Sequence, residues 1–289
     1  MKISLIIPTY NKADYLDIVL YSINQTVKIY PIEIIIIDDG SSDHTKNVVN
    51  KYLNFLDIKY FYQKNKGLSN ARNRGIIKAK YDKLLFIDDD RILPKDYFEK
   101  IDINDSRTVV IGKRQEIYIS NFNENINFIK KKISLEPEYI EKISLSERYY
   151  NKTKAIYSMK KNSIPWVGCT FANTLMDKFL FDIIGLFDER FIGWGFEDLE
   201  LAYRLHKENI NFVLNQNMYT THIYHGHDKS IFEQRKKNYS LFCLIHPENS
   251  VKFYDEFAKN KISVKKYNEV VLKAIDYDEY ISLDINEDN

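Results

Sequence analysis

The chain has 289 residues, 44% of them hydrophobic and 29% charged, a composition that excludes a disordered chain and a mini-protein and leaves one large or two ordinary domains. Lysine and arginine number 42 against 41 aspartates and glutamates, so a net charge of +1 excludes the broad basic face of a general nucleic-acid binder, and any charged ligand must be met locally. No apolar run reaches the roughly 18 residues of a membrane span or matches a signal peptide, which sets the expectation of a cytoplasmic protein, with at most contact at the inner face of a membrane.

In chain order, residues 3–7 and 32–37 are short, nearly continuous, β-branched apolar runs, as expected of strands buried on both faces of a parallel sheet. Between them Leu16, Val19, Leu20 and Ile23 recur at helical spacing, with Asn11 as the predicted N-cap. Ser41 or Ser42 is placed to cap a second helix carrying Thr45, Val48, Val49 and Tyr52, and Ile58, Tyr60 and Tyr62 alternate as a strand. A third helix from about Ser69 leads into a strand over residues 84–87. Repeated βαβ units predict an α/β fold with a doubly wound, mostly parallel sheet whose ligands bind beyond the carboxyl ends of the strands. Residues 113–163 lose periodicity and read as a helical insertion. They are followed by a strand near 166–171, a helix over 196–208, a strand pair over 212–224 and a mostly helical tail whose last residues, from Asp276, are acidic without lysine or arginine. Cys169 and Cys243 are far apart and predict reduced thiols.

Polar residues stand where the strand-end rule directs attention: Pro8-Thr9-Tyr10-Asn11, Asp38-Asp39-Gly40-Ser41 and Asp88-Asp89-Asp90. Three consecutive carboxylates after a buried strand repel one another and call for a cation, and a divalent metal held by one or two carboxylates while phosphates complete its shell is the economical answer. A solvated, helix-capping triplet is the bland alternative, weakened by Asp38-Asp39 at a neighbouring strand end. His222-Ile223-Tyr224-His225, close to His227 and Asp228, offers imidazole ligands for a manganese-like ion. In Gly193-Trp194-Gly195-Phe196-Glu197-Asp198 the glycines allow a ligand to approach, and the following helix places Asp198 on the stripe of Leu201, Ala202 and Leu205. Glu197, on another face with Glu200 and Arg204, reads as a complement to the helix dipole, whereas a carboxylate on the apolar side fits a general base. Gly67 to Gly75 adds a helix N-terminus with Arg72 and Arg74, features suited to a phosphate.

Taken together, these segments resemble the inverting family 2 glycosyltransferases of GT-A fold, and the later run from Gly185 to Asp198 resembles metal-dependent galactosyl- and N-acetylgalactosaminyltransferases. The similarity spans roughly residues 3–228. It implies a GT-A domain over residues 1–235, with a nucleotide-binding half (1–100) and an acceptor half (101–235) that contains the insertion, followed by a helical C-terminal extension (236–289). It further implies that Pro8, Thr9, Tyr10 and Asn11 line the nucleotide-sugar site and that Thr9 and Asp39 hold the nucleoside, Asp39 at the base. Arg72 falls near base or diphosphate, Asp88 and Asp89 at ribose and donor sugar, and Trp194, Gly195 and Glu197 in the same nucleotide-sugar site. Asp90 becomes a ligand of Mn2+ or Mg2+, joined by His222 on one comparison within the family and by His225 on another, and Asp198 becomes the catalytic base.

The expected activity is therefore metal-dependent transfer of a sugar from a nucleotide donor, expected to be UDP-linked, to a hydroxyl of a glycan, glycolipid or other acceptor, with inversion. A sugar-1-phosphate nucleotidyltransferase would need a glycine-rich basic loop after the first strand, which Pro8-Thr9-Tyr10-Asn11 does not supply. A silent glycan-binding scaffold on the same fold would tolerate loss of the acids, all of which are present. Lys130 to Lys132, Lys160-Lys161 and Arg235-Lys236-Lys237 offer a peripheral membrane contact, against which solvated charge is the plainer reading.

Overall fold

The computed structural model describes residues 2–26, 30–102, 105–146, 150–226 and 230–281. Its first third alternates strand and helix as β1 (Ile3–Thr9), α1 (Ala13–Thr26), β2 (Ile32–Asp38), α2 (Thr45–Tyr52), β3 (Ile58–Tyr62), α3 (Leu68–Lys78) and β4 (Lys83–Ile87). These strands run parallel in the order β3-β2-β1-β4, so the chain reverses its direction of winding between β1 and β4. The crevice beyond the carboxyl ends of those two strands is where such a sheet takes a ligand. Period-two alternation explains the packing. Ile3, Leu5 and Ile7 of β1 join Ile34, Ile36 and the α1 residues Leu16, Val19, Leu20 and Ile23 in one cluster, while Ile6, Ile35, Ile37 and Phe86 join Ala71 and Ile76 of α3 on the other face. Glu33, fully buried inside β2, is satisfied by the Ser4 hydroxyl and the Lys80 N–H, each at 2.5 Å, and by Lys59.

The helix caps differ from expectation. Asn11 adopts a left-handed φ of 52° and its side chain accepts the Ser42 N–H at 2.8 Å, so it ties two strand-end loops together. Asp43 caps both helices, accepting the Ala13 N–H of α1 and the Thr45 N–H of α2 at 3.0 Å each, a reach across space that sequence spacing does not reveal.

The remainder comprises β5 (Arg91–Ile92), β6 (Thr108–Ile117), α4 (Phe122–Leu135), α5 (Pro137–Ile143), β7 (Leu145–Ser146), α6 (Tyr150–Tyr157), β8 (Asn173–Asp177), α7 (Leu180–Ile184), α8 (Glu197–Lys207), β9 (Asn211–Ile223), α9 (Ser230–Ile245), α10 (Asn249–Ala258) and α11 (Val264–Leu272). The sheet continues β4-β8-β6-β9-β5, with β7 beside β6. β8 is antiparallel to β4 and β6, and β6 is parallel to β9. Two expectations fail here. Residues 166–171 form no strand: Pro165 opens a short 3-10 turn over Pro165–Gly168, and Trp166 is wholly buried against Tyr203, Phe242 and Tyr254, so that apolar run fills core and the strand begins at Asn173. The strand pair expected over 212–224 is one long strand, Asn211–Ile223, in which Asn215 accepts the N–H groups of Asn217 and Met218 (3.0 and 3.2 Å) and shapes a bulge where the register with β6 shifts. The predicted insertion is helical through α4 to α6, but its first residues complete β6. The C-terminal helices share a core with the sheet: Phe242, Val251, Phe253, Tyr267 and Val270 belong to the same cluster as Ile6 and Trp166.

Candidate active site

β4 is followed by Asp88-Asp89-Asp90, after which the two residues of β5 pair with the far end of β9, His222 opposite Arg91. The Ile223 N–H donates to the Asp90 carbonyl at 2.9 Å, so the backbone itself brings β9 to the acidic turn. As a result the Asp90 carboxylate lies 3.6 Å from His222 Nε2 and 3.0 Å from His225 Nε2, and one donor atom from each of the three lies within 4.8 Å of the others. Both histidines left open by the sequence therefore meet Asp90, while His227 and Asp228 lie outside the described residues. One carboxylate oxygen with two imidazole nitrogens is a donor set for a divalent transition ion such as Mn2+, whereas Mg2+ favours an all-oxygen shell. The residues present thus fit the metal that the fold implies.

Lys12, unmarked in the sequence reading, reaches into this cluster. Its Nζ is 2.6 Å from Asp90 Oδ2, 2.9 Å from His225 Nε2 and 3.5 Å from Asp89 Oδ1. The signal that could have found it is topological: β1 and β4 are neighbours, so a lysine just past the end of β1 is the cation nearest to three acids just past the end of β4. Burial works to raise the Asp90 carboxyl, but Lys12 and the two imidazoles hold it well below the usual carboxylate range. Burial lifts Asp89 to about 6 against the pull of Lys12, with the charge of Asp90 adding to the rise.

A second ion cluster adjoins the first. Arg72 on α3, 2% exposed, stacks over the Phe187 ring and spans three acids, with Nη2 at 3.2 Å from Asp88 and Nη1 at 2.6 Å from Asp198 and 3.5 Å from Glu197. It thus bridges the strand-end acids to the start of α8. Asp198 also accepts the Phe171 N–H at 3.0 Å, and its side chain stays 16% exposed. Glu197 departs from its predicted role as a surface complement to the helix dipole. It is buried, its Oε2 has no partner, and burial beside Asp198 raises it to about 7. Glu200 is buried too, held by Arg204 at 2.8 Å and His246 at 3.0 Å, because the C-terminal helices cover the side of α8 that reads as polar.

Beyond β1, Pro8 and the buried Thr9 end the strand and Tyr10 is half exposed. Asp39 is buried and receives Gln63 Nε2 at 2.7 Å and the N–H groups of Lys66 and Gly67 at 2.9 and 2.8 Å, which fold the loop over 63–67 onto the end of β2. Gly40 permits this closeness: it holds φ at 92°, and a Cβ there would lie 2.7 Å from the Asn65 amide nitrogen. Gly193 and Gly195 take φ values of 78° and 95° in the turn entering α8 and leave Trp194 45% exposed. That turn is clasped by α9, where Asn238 Nδ2 donates to the carbonyls of Ile192 and Gly195 (3.2 and 2.8 Å) and Gln234 accepts the Trp194 N–H at 3.0 Å. No sequence motif marked Asn238 or Gln234.

A doubly wound sheet with an acidic cluster at its switch point is the arrangement expected of the GT-A fold that the sequence resembles. The family model described as "Glycosyl transferase family 2" matches residues 4–181, and the chain belongs to that family. A second model, "N-terminal domain of galactosyltransferase", matches residues 153–227, the segment that carries Asp198 and both histidines. A chondroitin synthase of Pasteurella multocida is 31% identical over 229 residues, 70% of this chain but 23% of that protein, so the chain spans about a quarter of that relative's length. Among solved structures, S. aureus TarS 1-349 in complex with UDP-GlcNAc is similar with a TM-score of 0.60 at 18% identity, covering 84% of this chain and 66% of the other. GalNAc-T7 with UDP, GalNAc and Mn2+ is similar with a TM-score of 0.61 at 19% identity, over 93% of this chain and 54% of that one. These likenesses establish the GT-A fold. Among the described residues no helix is long and apolar enough to cross a membrane.

Proposed function

We propose that the chain moves a sugar from a UDP-linked donor to an acceptor hydroxyl, with inversion at the anomeric carbon and a divalent metal, Mn2+ in preference to Mg2+, held by Asp90, His222 and His225. The observation that carries this reading is the convergence of one carboxylate and two imidazoles at the switch point, one arginine away from Asp198. UDP in the complexes of two structural neighbours, one of them also with Mn2+, supports the choice of donor and metal.

In this reading Pro8, Thr9, Tyr10 and Asn11 line the nucleotide side, and Asp39, fixed by the 63–67 loop, faces the base. Asp88 and Asp89 address the ribose and donor sugar. Arg72, whose guanidinium is engaged by Asp88, Glu197 and Asp198, orients Asp88 and Asp198. Trp194 and Gly195 form the wall on the sugar side, and Glu197 stands behind them. When bound, the metal supplies charge stabilisation to the departing diphosphate. Asp198, oriented by Arg72 and the Phe171 N–H, accepts the proton of the acceptor hydroxyl as that oxygen attacks the anomeric carbon and the bond to UDP breaks. A panel of nucleotide sugars assayed with Mn2+ tests this. UDP-sugars should stabilise the chain against heat and be consumed, with a product anomeric configuration opposite to the donor's by NMR. Retention of configuration would sink the single displacement, and indifference to every nucleotide sugar would sink the activity.

A further inference from the structure

A lysine, Lys12, lies inside the candidate metal cluster. Asp89 and Asp90 are 6% and 5% exposed, and buried carboxylates need a counter-ion at all times, not only when a metal is bound. Lys12 meets that need with the lone pairs a metal would use: its Nζ contacts Asp90 Oδ2, the oxygen that also faces both imidazoles, and His225 Nε2. The single lone pair of His225 Nε2 cannot receive the ammonium and ligate a divalent ion at once, and two cations crowded on Asp90 Oδ2 repel. The backbone of Lys12 is fixed, its carbonyl accepting the Leu16 N–H in the first turn of α1 at 2.9 Å, but its side chain is 29% exposed, with Nζ 6.0 Å from the Tyr15 ring centre.

We infer that Lys12 is a tethered, displaceable counter-ion that keeps the metal site closed to a free divalent cation and yields it when an anionic nucleoside diphosphate arrives. The donor diphosphate brings the negative charge that lets metal and ammonium coexist in one crevice, so metal and nucleotide bind with positive coupling, and Lys12 is the source of that coupling. This role of Lys12 rests on the reading of Asp90, His222 and His225 as metal ligands.

The test titrates Mn2+ alone into the full chain, reading free Mn2+ by electron paramagnetic resonance, for the wild type, Lys12→Met and Lys12→Arg, and repeats each titration with UDP. Lys12→Met should bind Mn2+ without UDP about tenfold more tightly than the wild type, and UDP should tighten its Mn2+ binding less. Lys12→Arg, which keeps a cation, should remain weak without UDP. The metal-free melting temperature of Lys12→Met should fall and be restored by Mn2+, a readout available even if the variant is fragile. Equal or weaker Mn2+ binding by Lys12→Met, or tight binding by Lys12→Arg, would overturn the inference while leaving the metal site standing. If neither wild type nor variant binds Mn2+ even with UDP, the metal reading falls and this inference falls with it.

Discussion

Two adjacent carboxylates at the start of α8 sit in different surroundings, and their substitutions should separate cleanly. Asp198→Asn keeps size and most hydrogen bonding while removing basicity, so turnover with saturating donor should fall about 10²–10⁴-fold with UDP affinity nearly unchanged, as steady-state kinetics and calorimetry would record. Near-normal turnover would remove Asp198 from the chemistry. Glu197 tests stability instead. Its carboxyl is raised from 4.5 to about 7, so the native state retains a proton that the unfolded chain releases in that interval. The stability this proton confers is full below the ordinary value and is lost as pH rises through about 7. Glu197→Gln should therefore be more stable than the wild type at pH 8 by about 1–3 kcal/mol and equal to it near pH 4, measured by urea unfolding. A variant weaker at pH 8 would contradict the assignment. The strand-end acids and His222, His225 and Asp198 were legible from their positions relative to strand and helix ends. Lys12 and the burial of Glu197 were not, because each depends on a neighbour brought in by topology: β1 beside β4 in one case, the C-terminal helices over α8 in the other.

Among elements, β1 to β4 and the helices between them were readable because doubly buried strands leave uninterrupted apolar runs and α1 and α2 show a clear apolar stripe. Residues 166–171 and 212–224 differ from expectation for separate reasons: the first apolar run is core filling around a proline turn, and the expected pair of strands is one strand carrying a bulge at Asn215. α9 has an effect that its own sequence does not announce, since Asn238 holds the turn that carries Trp194 and leads into Asp198. Asn238→Ala leaves the carbonyls of Ile192, Trp194 and Gly195 without this donor and should cost about 1–3 kcal/mol in stability. Because the turn borders the site, it should also reduce turnover below the melting temperature. Thermal melts paired with kinetics would check this, and a destabilised variant with wild-type turnover would uncouple α9 from the site.

At the scale of the whole molecule, the C-terminal helices complete the core of the sheet. Val251 and Phe253 of α10 and Tyr267 and Val270 of α11 share a cluster with Trp166, and full burial of each such side chain contributes about 1.5–3 kcal/mol. A chain ending after Ile245 should therefore lose its cooperative thermal transition in calorimetry, and a sharp, near-native transition would make those helices dispensable. The sheet's other large-scale consequence is that its parallel half delivers Asp90 and its mixed half delivers His222 and His225 to one point. That convergence is the central claim, and calorimetric titration of UDP with and without Mn2+, in the wild type and in Asp90→Asn, tests it most directly. UDP should bind the wild type at least tenfold more tightly with Mn2+, and Asp90→Asn should abolish that difference. Equal UDP affinity under both conditions in the wild type would contradict it.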